Sequence, residues 1–240
     1  MTTAARFDRT YAATAACFVL SGVAGLLYQT IWSRQYSLVL GTSEAAVSVV
    51  LAVYMLGLAL GAALVPRWMH GPGTRPLRLF ALLELGIAAC ALAIPPLLAL
   101  VGDGYVAVAG GLPDPPSAVG ALPRLYFALA CLLLLVPTML MGATLPVLAG
   151  FAVRSAADTG PRIAGLYAAN TLGAAAGALA GGWWLVPDFG LRISTAVAMA
   201  LNLLVTAGAF AVSRSLAEGG ATTATGTTPA AAGTVSAAAP

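Results

Sequence analysis

Lysine does not occur in this sequence, and all eleven basic residues are arginines. Charge of either sign is scarce, at 8% of residues, where a soluble globular domain carries roughly 25%. That shortage excludes water as the main solvent of the fold. It also excludes a nucleic-acid surface, because affinity for phosphates needs clustered cations and these arginines are scattered over many loops. His70 is the only histidine, and Cys17, Cys90 and Cys131 lie in three separate apolar segments, with no C-x-x-C. The thiols read as small core or lipid-facing residues, not as disulfides or metal ligands. No H-E-x-x-H, no nucleophile beside a base and no phosphate-cradling glycine loop is present. No catalytic, cofactor or metal site is therefore expected in this chain. His70 reads as a solvated residue of the Gly- and Pro-rich loop that holds Arg67 and Arg75.

What the sequence has in excess is apolar length. Hydrophobic residues make up 60% of the 240, and they fall in uncharged runs of roughly 20, enough to cross a hydrocarbon core of about 30 Å. Backbone groups in lipid must be satisfied within the segment, so each run is expected to be a helix. The fold class that follows is an all-α integral membrane protein, a bundle of about six transmembrane helices. Hydropathy places them near Tyr11 to Ser33, Glu44 to Val65, Leu77 to Val101, Leu122 to Gly150, Arg162 to Val186 and Leu191 to Ser213. The first run is too long for a signal-peptide core and no cleavage site ends it, so it is kept as a span. Pro137, Gly142 and Pro146 predict a kinked or discontinuous fourth helix.

Positively charged loops stay in the cytoplasm. With the N-terminus inside, Arg6, Arg9, Arg67, Arg75, Arg78, Arg154, Arg162 and Arg214 are cytoplasmic, leaving only Arg34, Arg124 and Arg192 outside. Both termini are then expected inside. Asp103 and Asp114 fall in the outer loop after the third span. The chain divides into a cytoplasmic N-terminus (1–10), a six-helix transmembrane domain (11–213) and a low-complexity tail or linker (214–240). From Ala217 onward the tail is Ala, Thr, Gly, Ser and Pro with little else, which cannot bury a core and reads as flexible. A chain that stops there looks like the front of something longer.

Two features inside the spans stand out. Gly173, Gly177 and Gly181, preceded by Ala169, give one face of the fifth span almost no side chain, and Gly57 and Gly61 repeat the device in the second. Such faces let helix backbones approach closely, chiefly within the bundle and otherwise across a homodimer. The second feature is Glu84, about 10 Å into the third span. A charge in a bilayer costs at least about 2.5 kcal/mol on insertion scales, so it needs a partner or a purpose. Asn170, Tyr167 and Thr144 lie at similar depth and predict a polar cluster around it. Functionally this is a binding pocket or proton site; structurally it is a protonated or arginine-paired Glu84, with Arg78 or Arg162 in reach.

Five strings carry a resemblance. They are Ser21-Gly-Val-Ala-Gly-Leu-Leu-Tyr-Gln-Thr-Ile-Trp-Ser-Arg34, Gly57-Leu-Ala-Leu-Gly61, Leu82-Leu-Glu-Leu-Gly86, Met141-Gly-Ala-Thr-Leu-Pro146 and Gly165-Leu-Tyr-Ala-Ala-Asn-Thr-Leu-Gly173. Together, up to about Ser213, the chain resembles bacterial spermidine-synthase-like membrane proteins, some of which are labelled as fused major facilitator and spermidine synthase proteins. The resemblance implies an inner-membrane domain that anchors a cytoplasmic aminopropyltransferase and binds or passes a small cationic substrate. The catalytic domain itself is absent from this sequence. It also implies half of a major facilitator fold, built from inverted three-helix repeats. Tyr54 before Gly57 and Gly61 loosely echoes Tyr167 before Gly173 and Gly177. Competing expectations are a half-transporter working as a dimer and a structural membrane subunit that docks through the Gly173 to Gly181 face.

Overall fold

The computed structural model describes residues 3–40, 44–68, 75–111, 120–152 and 156–224. His70, Asp114, Arg154 and the tail from 225 onward lie outside them. The described chain is helical throughout, with no strand among the described residues: α1 (Thr3–Leu40), α2 (Glu44–Trp68), α3 (Pro76–Gly110), α4 (Ala121–Ala152), α5 (Ala156–Ala180), a π-helical turn (Gly181–Leu185) and α6 (Val186–Ala224). Five helical stretches are long and apolar enough to cross a membrane, which is compatible with a multi-pass membrane protein.

The fifth stretch runs from Thr159 to Leu216, 58 residues. At the helical rise it would be about 87 Å long, far beyond one bilayer core. It is not straight. Gly190 has φ 73° and ψ 175°, a conformation that glycine adopts without the Cβ clash other residues suffer. The chain turns there, between the π turn and Leu191, so that α5 packs on α1 while α6 packs on α1 and α3.

Three expectations change. The fourth span is one helix of 32 residues that continues through Pro137 and Pro146 and is not discontinuous. Each proline removes one backbone donor. Thr138 donates within that region to the carbonyls of Leu134 and Leu135, and Thr144 donates to Met141 O at 2.7 Å, in keeping with the way hydroxyls re-satisfy membrane helices at prolines. The third helix begins at Pro76, where a fixed φ and a missing donor suit a first turn. It continues through Asp103 to Gly110, so the start of the expected outer loop is helical. The sixth helix likewise passes Ser213 and Ala217 to Ala224, shortening the expected tail.

Packing is arranged in matched pairs. α1 lies on α5 as α4 lies on α2; α1 lies on α6 as α4 lies on α3; and α3 meets α6. Exchanging α1–α3 with α4–α6 returns the same five pairs, so the two three-helix units pack alike. The glycines mark the equivalent contacts. A methyl on Gly57 or Gly61 would overlap Thr138 or Met139 of α4, and one on Gly142 would overlap Leu58 of α2. In the other unit a methyl on Gly173 or Gly177 would overlap the carbonyls of Val19 and Val23 in α1, and one on Gly22 would overlap Asn170. Gly181 rests on Leu27 and Thr30 of α1. Ala169 is half-buried. The small-residue face of α5 is therefore covered by α1 and is not a free docking surface.

Two apolar clusters result. Tyr28, Trp32, Tyr36, Ile94 and Leu134 belong to one, and Phe18, Phe80, Leu148 and Leu166 to the other. The outward faces carry exposed Leu51, Leu100, Leu132, Leu172 and Leu204, an apolar exterior far beyond what a soluble monomer tolerates.

Because the backbones touch at Gly177, Gly177→Leu should destabilise the detergent-solubilised fold by roughly 3 kcal/mol or more, the upper end of overpacking. Gly160, whose added Cβ would meet nothing within 4 Å, should accept alanine within about 1 kcal/mol of wild type. Thermal unfolding of the two variants checks the contrast.

Candidate functional site

Glu84 lies one helical turn from Phe80 and from Ile87, at the point on α3 where the two apolar clusters meet. Its side chain is fully buried, at 0% exposure. Burying a carboxyl without partners is costly, and here each oxygen has one donor. Ser21 Oγ of α1 donates to Oε1 at 2.5 Å, and Asn202 Nδ2 of α6 donates to Oε2 at 2.6 Å. Thr206, one turn further along α6, donates to the Ala81 carbonyl at 3.4 Å, so α3 and α6 are tied by side-chain bonds at the site and one turn away from it.

The expected arginine partners are elsewhere. Arg162 bonds Asp8 at 2.8 Å, its guanidinium lies 4.9 Å from the centre of the Tyr11 ring, and Tyr11 Oη donates to its carbonyl at 2.8 Å. Arg78 is exposed. Both of Glu84's side-chain partners are neutral, and among the described residues no ion pair involves it.

Beside Glu84 is a cavity of about 100 Å³. Thr144 and Asn170 line it with Glu84, as do Ser21, Tyr54 and Asn202. Tyr167 does not: it is 60% exposed, because the face of α5 that carries Gly173 and Gly177 inward turns Tyr167 outward. The Tyr54 hydroxyl donates to Gly25 O at 3.2 Å and contacts Met141 Sδ at 3.5 Å. Glycine at 22 lets the Asn170 backbone come against α1, which brings that side chain to the cavity wall.

The two related units meet at this cavity. Aligning Gly57 and Gly61 with Gly173 and Gly177 sets Tyr54 opposite Asn170, not opposite Tyr167 as the sequence suggests. The buried pattern of α3 at Leu77, Phe80, Glu84, Ile87, Ala88 and Ala91 recurs on α6 at Thr195, Ala198, Asn202, Val205, Thr206 and Ala209. Asn202 therefore holds on α6 the place Glu84 holds on α3. Ser21, Tyr54 and Asn202 were not among the residues expected around Glu84. A second asparagine in an apolar span was the available signal for Asn202; nothing in the sequence singles out Ser21 as a carboxyl partner.

No protein-family profile, curated protein or solved structure matches the chain. Among the described residues no group of three or more His, Cys, Asp or Glu could hold a metal ion.

Removing one donor leaves a buried carboxyl oxygen unsatisfied, at a cost of about 1–3 kcal/mol. Asn202→Ala and Ser21→Ala should each lower stability by that order, and in a Glu84→Gln background the two losses should shrink. A double-mutant cycle on thermal or denaturant unfolding checks the coupling.

Proposed function

We propose that this chain is a membrane-embedded binding domain for a small organic cation, and the membrane portion of a spermidine-synthase-like protein that anchors a cytoplasmic aminopropyltransferase. The observation that carries the reading is a fully buried glutamate with two neutral donors and, among the described residues, no cation of its own. A carboxylate in hydrocarbon is retained where it pairs, moves protons or meets a substrate. An ammonium group entering the cavity would supply the missing charge, with Thr144, Asn170, Tyr54 and Met141 around it.

Size narrows the ligand. A space of about 100 Å³ holds roughly three waters at their liquid volume of about 30 Å³ each. That accepts the ammonium end of an amine and not a whole extended polyamine, whose chain would lie outside the cavity. The five resemblant strings support the polyamine link; four of them contribute Ser21, Glu84, Thr144 and Asn170 to the site.

The same reading takes six spans, with the turn at Gly190 separating the last two, and both termini in the cytoplasm of a bacterial inner membrane. The arginine asymmetry supports this orientation. A reporter fused after Pro240 should be active on the cytoplasmic side, and periplasmic activity would reverse the topology.

A second reading is favoured by the matched halves. Inverted repeats that meet at a midplane site are the architecture of secondary transporters, and two copies of a six-helix unit would form a twelve-helix carrier. Binding alone would then be accompanied by amine accumulation in vesicles.

In lipid nanodiscs, methylammonium and spermidine should each give saturable binding by calorimetry, and Glu84→Gln should weaken it at least about tenfold, the factor that corresponds to 1.4 kcal/mol. Unchanged binding in that variant contradicts the assignment.

A further inference from the structure

Where α1, α3 and α6 meet at the surface, an open groove of about 540 Å³ lies apart from the Glu84 cavity. Small side chains leave the space: Ala91 of α3 and Ala196 and Ala200 of α6, with the exposed Leu92 and Leu203 beside them. Every lining residue is apolar except Gln35, Arg192 and Thr195. Thr195 is satisfied by the Leu191 carbonyl at 2.8 Å. The other two are not. Gln35 Oε1 is buried with no hydrogen-bond partner, and the exposed Arg192 makes no ion pair among the described residues. Such an unpartnered acceptor calls for a cause.

Asn202 bonds Glu84 and Thr206 bonds Ala81, so α3 and α6 run antiparallel, and Arg192 lies level with Pro95. Pro95 stands about 28 Å along α3 from its start at Pro76, at the far edge of a hydrocarbon core of about 30 Å. From that level Arg192, Ala196, Ala200 and Leu203 follow one stripe of α6, the last about 17 Å below the first. One leaflet of the core is about 15 Å deep. The groove therefore has a cation at headgroup level and an apolar course as long as one leaflet. Pro95 and Pro96 carry no amide hydrogen, so the Ala91 and Leu92 carbonyls lose the donor of a regular helix and add acceptors at the polar end.

We infer that the groove between α1, α3 and α6 binds one phospholipid of the leaflet that meets Arg192. Its phosphate pairs with the Arg192 guanidinium, a headgroup donor meets Gln35 Oε1, and an acyl chain lies along Ala196 and Ala200 to Leu203. A guanidinium presents parallel N–H donors that match phosphate oxygens, and its stem covers apolar surface while the charge stays at the interface. The terminal torsion of glutamine is soft, so a turn of the Gln35 amide brings its oxygen to the groove it lines. Phosphatidylethanolamine offers an N–H there and phosphatidylglycerol an O–H. Phosphatidylcholine has the same phosphate and no donor. Arg192 thus selects the phosphate, and Gln35 selects among headgroups. This inference rests on the bundle spanning a membrane and is independent of whether the Glu84 cavity takes an amine.

The experiment is native mass spectrometry of the full chain in detergent, titrated with dioleoyl phosphatidylethanolamine, phosphatidylglycerol or phosphatidylcholine. In wild type the first two should bind at least about tenfold more tightly than the third, a comparison that needs no variant. Arg192→Gln should weaken all three by about tenfold or more, and Gln35→Leu should bring the first two down to the level of the third. Arg192 is exposed, so the unfolding midpoint of its variant should stay at the wild-type value. Arg124→Gln, exposed and outside the groove, and Glu84→Gln, which removes the proposed amine site, should bind each lipid as wild type does. Equal affinity of wild type for the three lipids, or wild-type affinity in Arg192→Gln, would overturn the site. So would an equal loss in Arg124→Gln, the mark of general attraction to charge, or displacement of lipid by equimolar glycerol phosphate, the mark of a free-anion site. Amine binding, read separately by calorimetry, can fail without touching this result.

Discussion

Lipid gives helices no hydrophobic reason to associate, so what holds this bundle is close contact between backbones. The contact is made twice, by Gly57, Gly61 and Gly142 between α2 and α4, and by Gly22, Gly173 and Gly177 between α1 and α5. Everything at the centre depends on it. With larger side chains at these places α1 could not stand near enough to α5 for Asn170 to reach the cavity. The same helix carries Ser21 to Glu84, so a displaced α1 would leave one carboxyl oxygen bare.

The two units are alike in packing and unlike in chemistry. Where one has Glu84, the other has Asn202; where one has Tyr54, the other has Asn170. A symmetric pair of glutamates would have placed two like charges in hydrocarbon, which repel and resist ionising together. Replacing one by an amide turns repulsion into a hydrogen bond and leaves a single carboxyl facing a small cavity. The site lies where the two units meet, and neither holds it alone.

The helical segments were legible because hydrocarbon imposes length and polarity so strictly: α2 and α4 begin and end within a few residues of the expected spans. The glycine period was legible too, since a repeat of four along a helix has few other uses. What sequence could not give was azimuth. Tyr167 and Asn170 are close in the chain, yet the glycine face directs Asn170 to the cavity and Tyr167 outward. Nor could spacing along one helix say that Ser21 and Asn202, from α1 and α6, would converge on Glu84 while Arg162 turned to Asp8 at the end of the bundle. Nor do Pro137 and Pro146 make the fourth helix discontinuous, because neighbouring threonines and the tight packing of α2 offset their local cost; the non-helical residue falls at Gly190.

The function of the bundle depends on whether the buried carboxyl of Glu84 meets an exogenous cation. Solid-state NMR on the lipid-embedded protein, with ¹⁵N-methylammonium and ¹³C-labelled glutamate, measures this directly. A dephasing signal that places the nitrogen within about 4 Å of the Glu84 carboxyl oxygens, the limit of an ion pair, is the predicted result. Bound amine that gives no coupling to that carboxyl would contradict it.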